Sequence, residues 1–299
     1  MKDSIPVYEL SLSLRVTWQA HSMSNSGNNG TNRLYPRRQL LNDGTETDAC
    51  SGNIFKHYHA RLLMEKLFEL KCHLCPACLI GDSRRAEALD EALTMAEYLR
   101  CGICDTHGFL IPEKKEGGQV VRKGVSKHSL IEFSMALALP DQHTDSPQIY
   151  TRQSIDSESG GQMIFKQSSR SGAYGLCIRY KAAGLGVDTN TRKPIIKDEN
   201  LRLGRHKAIL ESLKEQLLSP SGALTSISLP HLTGIEGIII IKTQAGRAPI
   251  LSPLIPDFIV QSQQLADTTR VVFAFNSLGV FDQTMTELCE HSYPIYPFH

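Results

Sequence analysis

The chain has 299 residues, a net charge of +1 and eight cysteines, and no apolar run approaches the roughly 20 residues of a membrane-spanning helix. Such a balance argues against nonspecific nucleic-acid binding by the whole surface but leaves room for a locally basic groove. With no signal-peptide apolar region after Met1-Lys2-Asp3, the cysteines are expected in a reducing cytoplasm, as metal ligands rather than disulfides.

In chain order, residues 8–18 alternate: Tyr8, Leu10, Leu12, Leu14, Val16 and Trp18 against Glu9, Ser11, Ser13, Arg15 and Thr17. The alternation predicts a half-buried strand with one solvent or ligand face. A Ser/Asn/Gly-rich loop from Ser22 to Thr31 follows, then Asn32 to Arg38 and an acidic turn containing Asp43, Glu46 and Asp48. Phe55, Tyr58, Leu62, Leu63, Leu67 and Leu70 recur at helical spacing. Ser51-Gly52-Asn53 stands at that helix's start, with Lys56 and His57 in its first turn. Ser51 reads as an N-cap, and the same start offers backbone N–H groups, a close-approach glycine and cations to a phosphate.

Cys72, Cys75, Cys78, Cys101, Cys104 and His107 come in two triplets spaced by three residues. Two CxxC knuckles, Cys75/Cys78 and Cys101/Cys104, can close a tetrahedral zinc site, with Cys72 and His107 as alternative ligands. A zinc deaminase would need an H-x-E segment, and the chain has none. Four thiolates also leave no open position for water, so the expected zinc is structural. An amphipathic helix is expected near 84–100 within this module, and a charged hairpin or loop from Glu113 to Ser126.

Residues 141–163 carry almost no large apolar side chains, which predicts disorder or a functional projection. A strand at 173–180, a helix from about 201 to 217 and strands at 236–242 and 270–275 complete the pattern. Cations crowd residues 166–207: Lys166, Arg170, Arg179, Lys181, Arg192, Lys193, Lys197, Arg202, Arg205 and Lys207, against Asp188, Asp198 and Glu199. They read as a solvated basic face or a phosphate-tracking groove. The order strand, helix, strands, helix, strand fits an α+β, ferredoxin-like β-α-β-β-α-β unit, a topology shared with RNA-recognition domains that bind RNA on an open sheet face.

Several ordered segments resemble one family. They are Ala20 to Ser22, Asn32-Arg33, Pro36-Arg37-Arg38, Asp43 to Ala49, Ser51 to His57, Cys101 to Leu110, Ser129 to Ser134, Gly161-Gln162-Met163, Arg170 to Tyr174 and Ser219 to His231. Together they are similar to the DevR branch of the Cas-seven family, the repeated backbone subunit of type I CRISPR surveillance complexes (Cascade). The resemblance spans roughly 8–260. It implies a modified RNA-recognition (RAMP) palm, a zinc-bearing fingers insertion and a β-hairpin thumb. The expected limits are 1–70, 128–140 and 166–299 for the palm, 71–127 for the fingers and 141–165 for the thumb.

It also implies a non-catalytic, cytoplasmic protein whose partners are CRISPR guide RNA, target DNA, head-to-tail copies of itself and other Cascade subunits. Because base pairing reads the sequence, the protein need hold only phosphates and shape. Carried over by position, the guide loop falls on Ser22, Asn25, Asn32 and Arg33, and the phosphate-holding helix start on Ser51, Gly52, Asn53, Lys56 and His57. The segment after the thumb falls on Gln162, Met163, Arg170 and Ser171, and a Gly-rich turn on Ser221, Gly222, Ala223 and Thr225. Arg37 and Arg38 fall on the guide or a neighbouring subunit. Two other readings are a type III-like RNA-cleaving subunit using Asp43, Glu46 or Asp48, and an operator-binding regulator, for which no helix-turn-helix pattern is evident.

Overall fold

The computed structural model describes residues 4–27, 34–88, 93–153 and 162–297. Its labelled elements are β1 (Glu9–His21), β2 (Arg38–Leu40), β3 (Glu46–Cys50), α1 (Gly52–Glu69), α2 (Pro76–Leu79), α3 (Met95–Arg100), α4 (Gly102–His107), β4 (Ile131–Phe133), β5 (Ala136–Gln153), β6 (Gln162–Tyr180), α5 (Glu199–Leu218), β7 (His231–Lys242), α6 (Phe258–Gln263), β8 (Arg270–Phe275) and α7 (Leu278–His291).

The architecture is α+β. An eight-stranded antiparallel sheet runs β8-β7-β1-β6-β5-β3-β2, with β4 also paired to β6. With β2, β3 and the short helices α2 to α4 set aside, the elements follow the order strand, helix, strands, helix, strand (β1, α1, β4/β5, β6, α5, β7). The apolar face of β1 (Leu10, Leu12, Leu14, Val16 and Trp18) is buried in the main core, which also takes Phe55, Leu63 and Leu67 of α1 and Leu210 and Leu213 of α5. Trp18 stacks on Phe55 at 6.0 Å between ring centres, fixing α1 against the sheet. Gly52 is required at the head of α1, since a Cβ there would lie 2.6 Å from the Phe133 carbonyl oxygen. The Ser51 hydroxyl accepts from the Asn53 N–H at 3.3 Å, so Ser51 is the N-cap.

The opposite face of β1 departs from expectation: it is covered, not open to solvent or ligand. Residues 248–263 lie over it, with Ser11 Oγ donating to the Pro249 carbonyl (2.6 Å) and Arg15 Nε to the Pro253 carbonyl (2.7 Å). The Ala248 N–H donates to Glu9 at 3.0 Å, and Phe258 of α6 packs on Ile238 and Ile240. A covering segment that presents its backbone selects Ser, Arg and Glu beneath it, so the strand alternates while buried on both sides.

Residues 141–153 and 162–172 form a two-stranded ribbon, in register from His143↔Gly172 to Gln153↔Gln162. The register shifts between Ala138 and His143, where Asp141 has φ 60°, and beyond that bulge most of the first strand is exposed. The charged segment after Glu113 is a hairpin pairing Lys114–Glu116 with Gln119–Arg122. The helix expected near 84–100 is instead a 3-10 turn at Arg85–Ala88 and the short α3, capped by Thr94 and Glu97; residues 89–92 lie outside the described set. Unforeseen in the sequence, α7 packs Phe281, Met285 and Leu288 into the main core, and Ser292–Pro294 pairs in parallel with Ile5–Val7.

Candidate nucleic-acid interface and metal centre

Cys75 is the N-cap of α2 and Cys101 the N-cap of α4, so each knuckle places its two thiols on one turn at i and i+3. The four sulfurs of Cys75, Cys78, Cys101 and Cys104 lie within 4.8 Å of one another, and all four residues are buried. Cys75 and Cys78 each stand 3.7 Å from the Cys104 sulfur. Zinc–sulfur bonds of ~2.3 Å in a tetrahedron require sulfur separations of ~3.8 Å, so these thiols fit zinc. Hydrogen bonds from Cys104, Cys75 and Cys78 hold the Cys101 thiol far below the ordinary thiol range, while Cys104 and Cys78 are pushed upward. A cation is what would let all four ionise together.

The two alternative ligands are elsewhere. Cys72 is not in the cluster, and His107 Nε2 is 2.9 Å from His59 Nδ1 in the core. The module is tied down by a buried carboxylate: Asp105 of α4 meets Lys127 Nζ, Arg205 Nη1 (2.8 Å) and the Gly186 N–H (3.0 Å).

Four sequence-distant segments converge where β1 ends. Ser22 is buried and donates to the Ser168 carbonyl at 2.6 Å; the Ser51 N–H donates to Ser24 Oγ at 3.2 Å. The Ala223 N–H donates to the Met23 carbonyl at 2.9 Å, and the Ala20 N–H to Ser171 Oγ at 2.9 Å. Gly222 presses on Met23, with 2.5 Å left for a Cβ. Thr225 Oγ1 accepts from the Gly222 N–H (2.7 Å), and Tyr58 donates to the Gly222 carbonyl (2.8 Å). Ser22, Asn25, Ser51, Gly52, Asn53, Ser171, Ser221, Gly222, Ala223 and Thr225 are thus brought together. Tyr58 belongs with them, and its helical spacing had marked it only as core.

Asn53 and His57 are exposed and Lys56 half-buried on the first turns of α1, where the first turn holds no acid. A helix start with nearby cations and no acid suits an anion. Arg37 is partly buried and donates to the Asn25 carbonyl at 3.4 Å, while Arg38 bridges to Asp145 at the ribbon's base (2.8 Å). Gln162 and Met163 lie on the described backbone of β6, far up the ribbon from this cluster and with side chains outside the described set. Asn32 and Arg33 lie outside the described residues altogether.

Arg170 is not a surface cation. It is fully buried and pairs with Asp48 at 3.0 Å, with a weaker reach to Asn25 Oδ1 at 3.5 Å. Tyr174 donates to the other Asp48 oxygen at 2.6 Å and meets His21 Nε2 at 2.9 Å. The network holds the loop after β1 from below. Arg202 and Arg205 are likewise internal: Arg202 donates to the Leu185 carbonyl, and Arg205 pairs with Asp105. Arg179 and Lys181 share Glu132. The basic stretch 166–207 is therefore no continuous groove. Its exposed cations include Lys166, Lys193 and Lys197.

Comparison with known proteins gives four findings. A family model described as "CRISPR-associated negative auto-regulator DevR/Csa2" matches residues 12–263. A curated protein of Thermoproteus tenax, named CRISPR-associated protein Cas7/Cst2/DevR, is 23% identical over 261 residues, which are 83% of this chain and 78% of that one. Among solved structures, a chain of a pre-nicking CRISPR RNA-guided surveillance complex is 12% identical with TM-score 0.43, over 81% of this chain and 80% of its own. A chain of another CRISPR RNA-guided surveillance complex is 10% identical with TM-score 0.45, over 92% and 98% respectively.

Proposed function

The chain belongs to the CRISPR-associated DevR/Csa2 family, and on that premise we propose that it is a non-catalytic, guide-RNA-binding backbone subunit of a type I CRISPR surveillance complex. Copies stack head to tail along one guide and support its pairing with target DNA, alongside other Cascade subunits. The observation that carries this reading is the convergence of residues 20–25, 51–57, 171 and 221–225 at one end of the sheet, beside an acid-free helix start. Backbone groups, hydroxyls and a few cations in that arrangement suit phosphates, which position a strand without reading it.

In this reading the sheet with its helices is the palm, at 1–70, 128–140 and 166–299. Residues 71–127 are zinc-stapled fingers, and the ribbon around 141–165 is the thumb. The covered outer sheet face moves the guide from the sheet surface to the loops at the strand ends. Arg170 acts by holding that loop end in place rather than by touching phosphate. A type III-like cleavage role finds little support: Asp48 is buried between Arg170 and Tyr174, so it cannot meet a target strand as it stands. Asp43 and Glu46 are exposed but lie apart from any described metal-ligating cluster. Operator reading is also disfavoured, because the most basic helix, α5, turns Arg202 and Arg205 inward. No described helix is long and apolar enough to cross a membrane.

The ribbon gives a direct test. Replacing residues 149–166 by Asn-Gly joins Gln148 to Gln167, which pair in register, through a two-residue turn. The shortened chain is expected to stay soluble and folded, to bind guide RNA, and to lose ordered multimers on it in electron micrographs. Insolubility, or undisturbed multimers, would remove the thumb assignment.

A further inference from the structure

Between α1 and the loop after the first CxxC knuckle lies a cavity of ≈ 60 Å³, lined by His57, Arg61, Gly81, Asp82, Ser83 and Arg85 among others. It borders the metal module and is distinct from the loop cluster at the end of β1. His57 and Arg61 are one turn apart on the exposed face of α1, and Arg85 comes from the 3-10 turn of the module. Lys56 is close enough to feel Arg85: burial first, and then the Arg85 charge, lower its pKa. Arg61 of α1 and Arg85 of the module thus line one small space together with Asp82, and Lys56 lies beside it.

The acids nearby are already engaged. Asp82 is held by Arg84 through the Arg84 N–H, Nε and Nη2 at 2.7–3.2 Å. Glu132, the carboxylate felt by Lys56, is shared between Arg179 and Lys181. Among the described residues, Lys56, Arg61 and Arg85 have no carboxylate within ion-pairing distance. Uncompensated cations of one sign around a cleft repel one another and raise the local concentration of anions. Arg85 is also structural, since its Nη1 donates to the His107 and Gly108 carbonyls (3.3 and 2.9 Å) at the end of α4. That contact keeps its charge at the cleft and links the cleft to the zinc-binding knuckles.

We propose that this cleft, with Arg61 and Arg85 as its new members, holds a phosphodiester group of a bound nucleic-acid strand and so carries the phosphate track from α1 onto the metal module. The inference rests on the guide-binding reading and extends it. The metal module then has a binding role besides its structural one, because the metal sets the position of the loop carrying Gly81 to Arg85. The strand is the guide or the target paired to it, since both present the same group.

Arg61 is exposed and, among the described residues, makes no hydrogen bond or ion pair, so its replacement chiefly removes the charge. The test compares wild type, Arg61→Ala, Arg61→Lys and the remote control Lys114→Ala. Each is titrated with a fluorescein-labelled single-stranded RNA, and with the same RNA annealed to complementary DNA, over a series of salt concentrations. Arg61→Ala is expected to bind ~4-fold more weakly near physiological salt and to flatten the log–log salt slope by ~0.7 on the single strand. Arg61→Lys should restore both, and Lys114→Ala should change neither. An effect on the single strand assigns the phosphate to the guide, and an effect on the duplex alone assigns it to the target strand. Unchanged slopes on both ligands, with wild type binding normally, overturn the cleft and leave the guide-binding reading standing. Failure of wild type to bind RNA overturns both.

Discussion

Replacing Cys75 and Cys104 by serine is expected to abolish metal binding and lower the thermal midpoint by ~10 °C or more. The buried Tyr98, Leu99 and Ile103 of the module around residues 71–110 belong to the main core, and the four cysteines lie in the same cluster. Opening the knuckles is therefore expected to disturb that packing. Zinc in a four-thiolate site contributes ~10 kcal/mol or more of binding energy that counts as folding energy. A loss of ~6 kcal/mol in a chain of this size already corresponds to a shift of ~10 °C. The check is metal content by mass spectrometry alongside calorimetry of the same samples. An unchanged midpoint after verified metal loss would rule out a structural role. Cys72→Ser is the control, since Cys72 stands outside the cluster and should leave metal content and melting alone.

Acid should destabilise the protein steeply, and the buried histidines set the pH window. His21, His59 and His206 are fully buried. Burial, with the Arg170 charge as a second cause, brings His21 down to about 3. Burial likewise takes His59 to about 4 and His206 to about 3. The unfolded chain protonates the same rings near the ordinary value of ~6.5, so below that pH the unfolded state binds more protons than the native state. The stability these rings confer by staying neutral is complete above about pH 7.5 and is lost as pH falls through ~6.5 toward the native values.

At pH 5 each ring costs ~2 kcal/mol, and three together cost ~6 kcal/mol, a large share of a typical ~5–15 kcal/mol total. Denaturant titrations at several pH values should show uptake of ~4 protons on unfolding near pH 5, three from these rings and one from His107, which burial also holds well below the ordinary histidine range. Protonation of thiolates holding a metal would act in the same direction, and His206→Gln separates the two by lowering the uptake by ~1 proton. Stability that stays level between pH 7 and 5 would mean that these rings are charged or solvated in the folded protein.

The two knuckles were legible because ligand geometry is local: i and i+3 thiols on two short turns need only one tertiary contact to close. The ribbon was legible as a polar stretch with no core pattern, and α1 as a periodic apolar face. Three features were hidden for a common reason, which is that their partners lie far off in sequence. Arg170 sits 122 residues from Asp48, and Arg205 sits 100 residues from Asp105. From sequence, such arginines look like surface cations until the buried carboxylate is found. The cover over β1 was hidden because it acts through backbone carbonyls, so the strand beneath keeps polar residues and reads as half-exposed. The convergence of Ser22, Ser51, Ser171 and Gly222 could not come from spacing. It followed only from the resemblance, and the fold supplies its physical basis in hydrogen bonds between the segments.

The most direct measurement is the mass and nucleic-acid content of the protein purified with and without a co-expressed guide RNA. The expected result is a large RNA-bearing assembly whose protected RNA lengthens in regular steps as subunits are added. A clean RNA-free monomer that ignores the guide would contradict it.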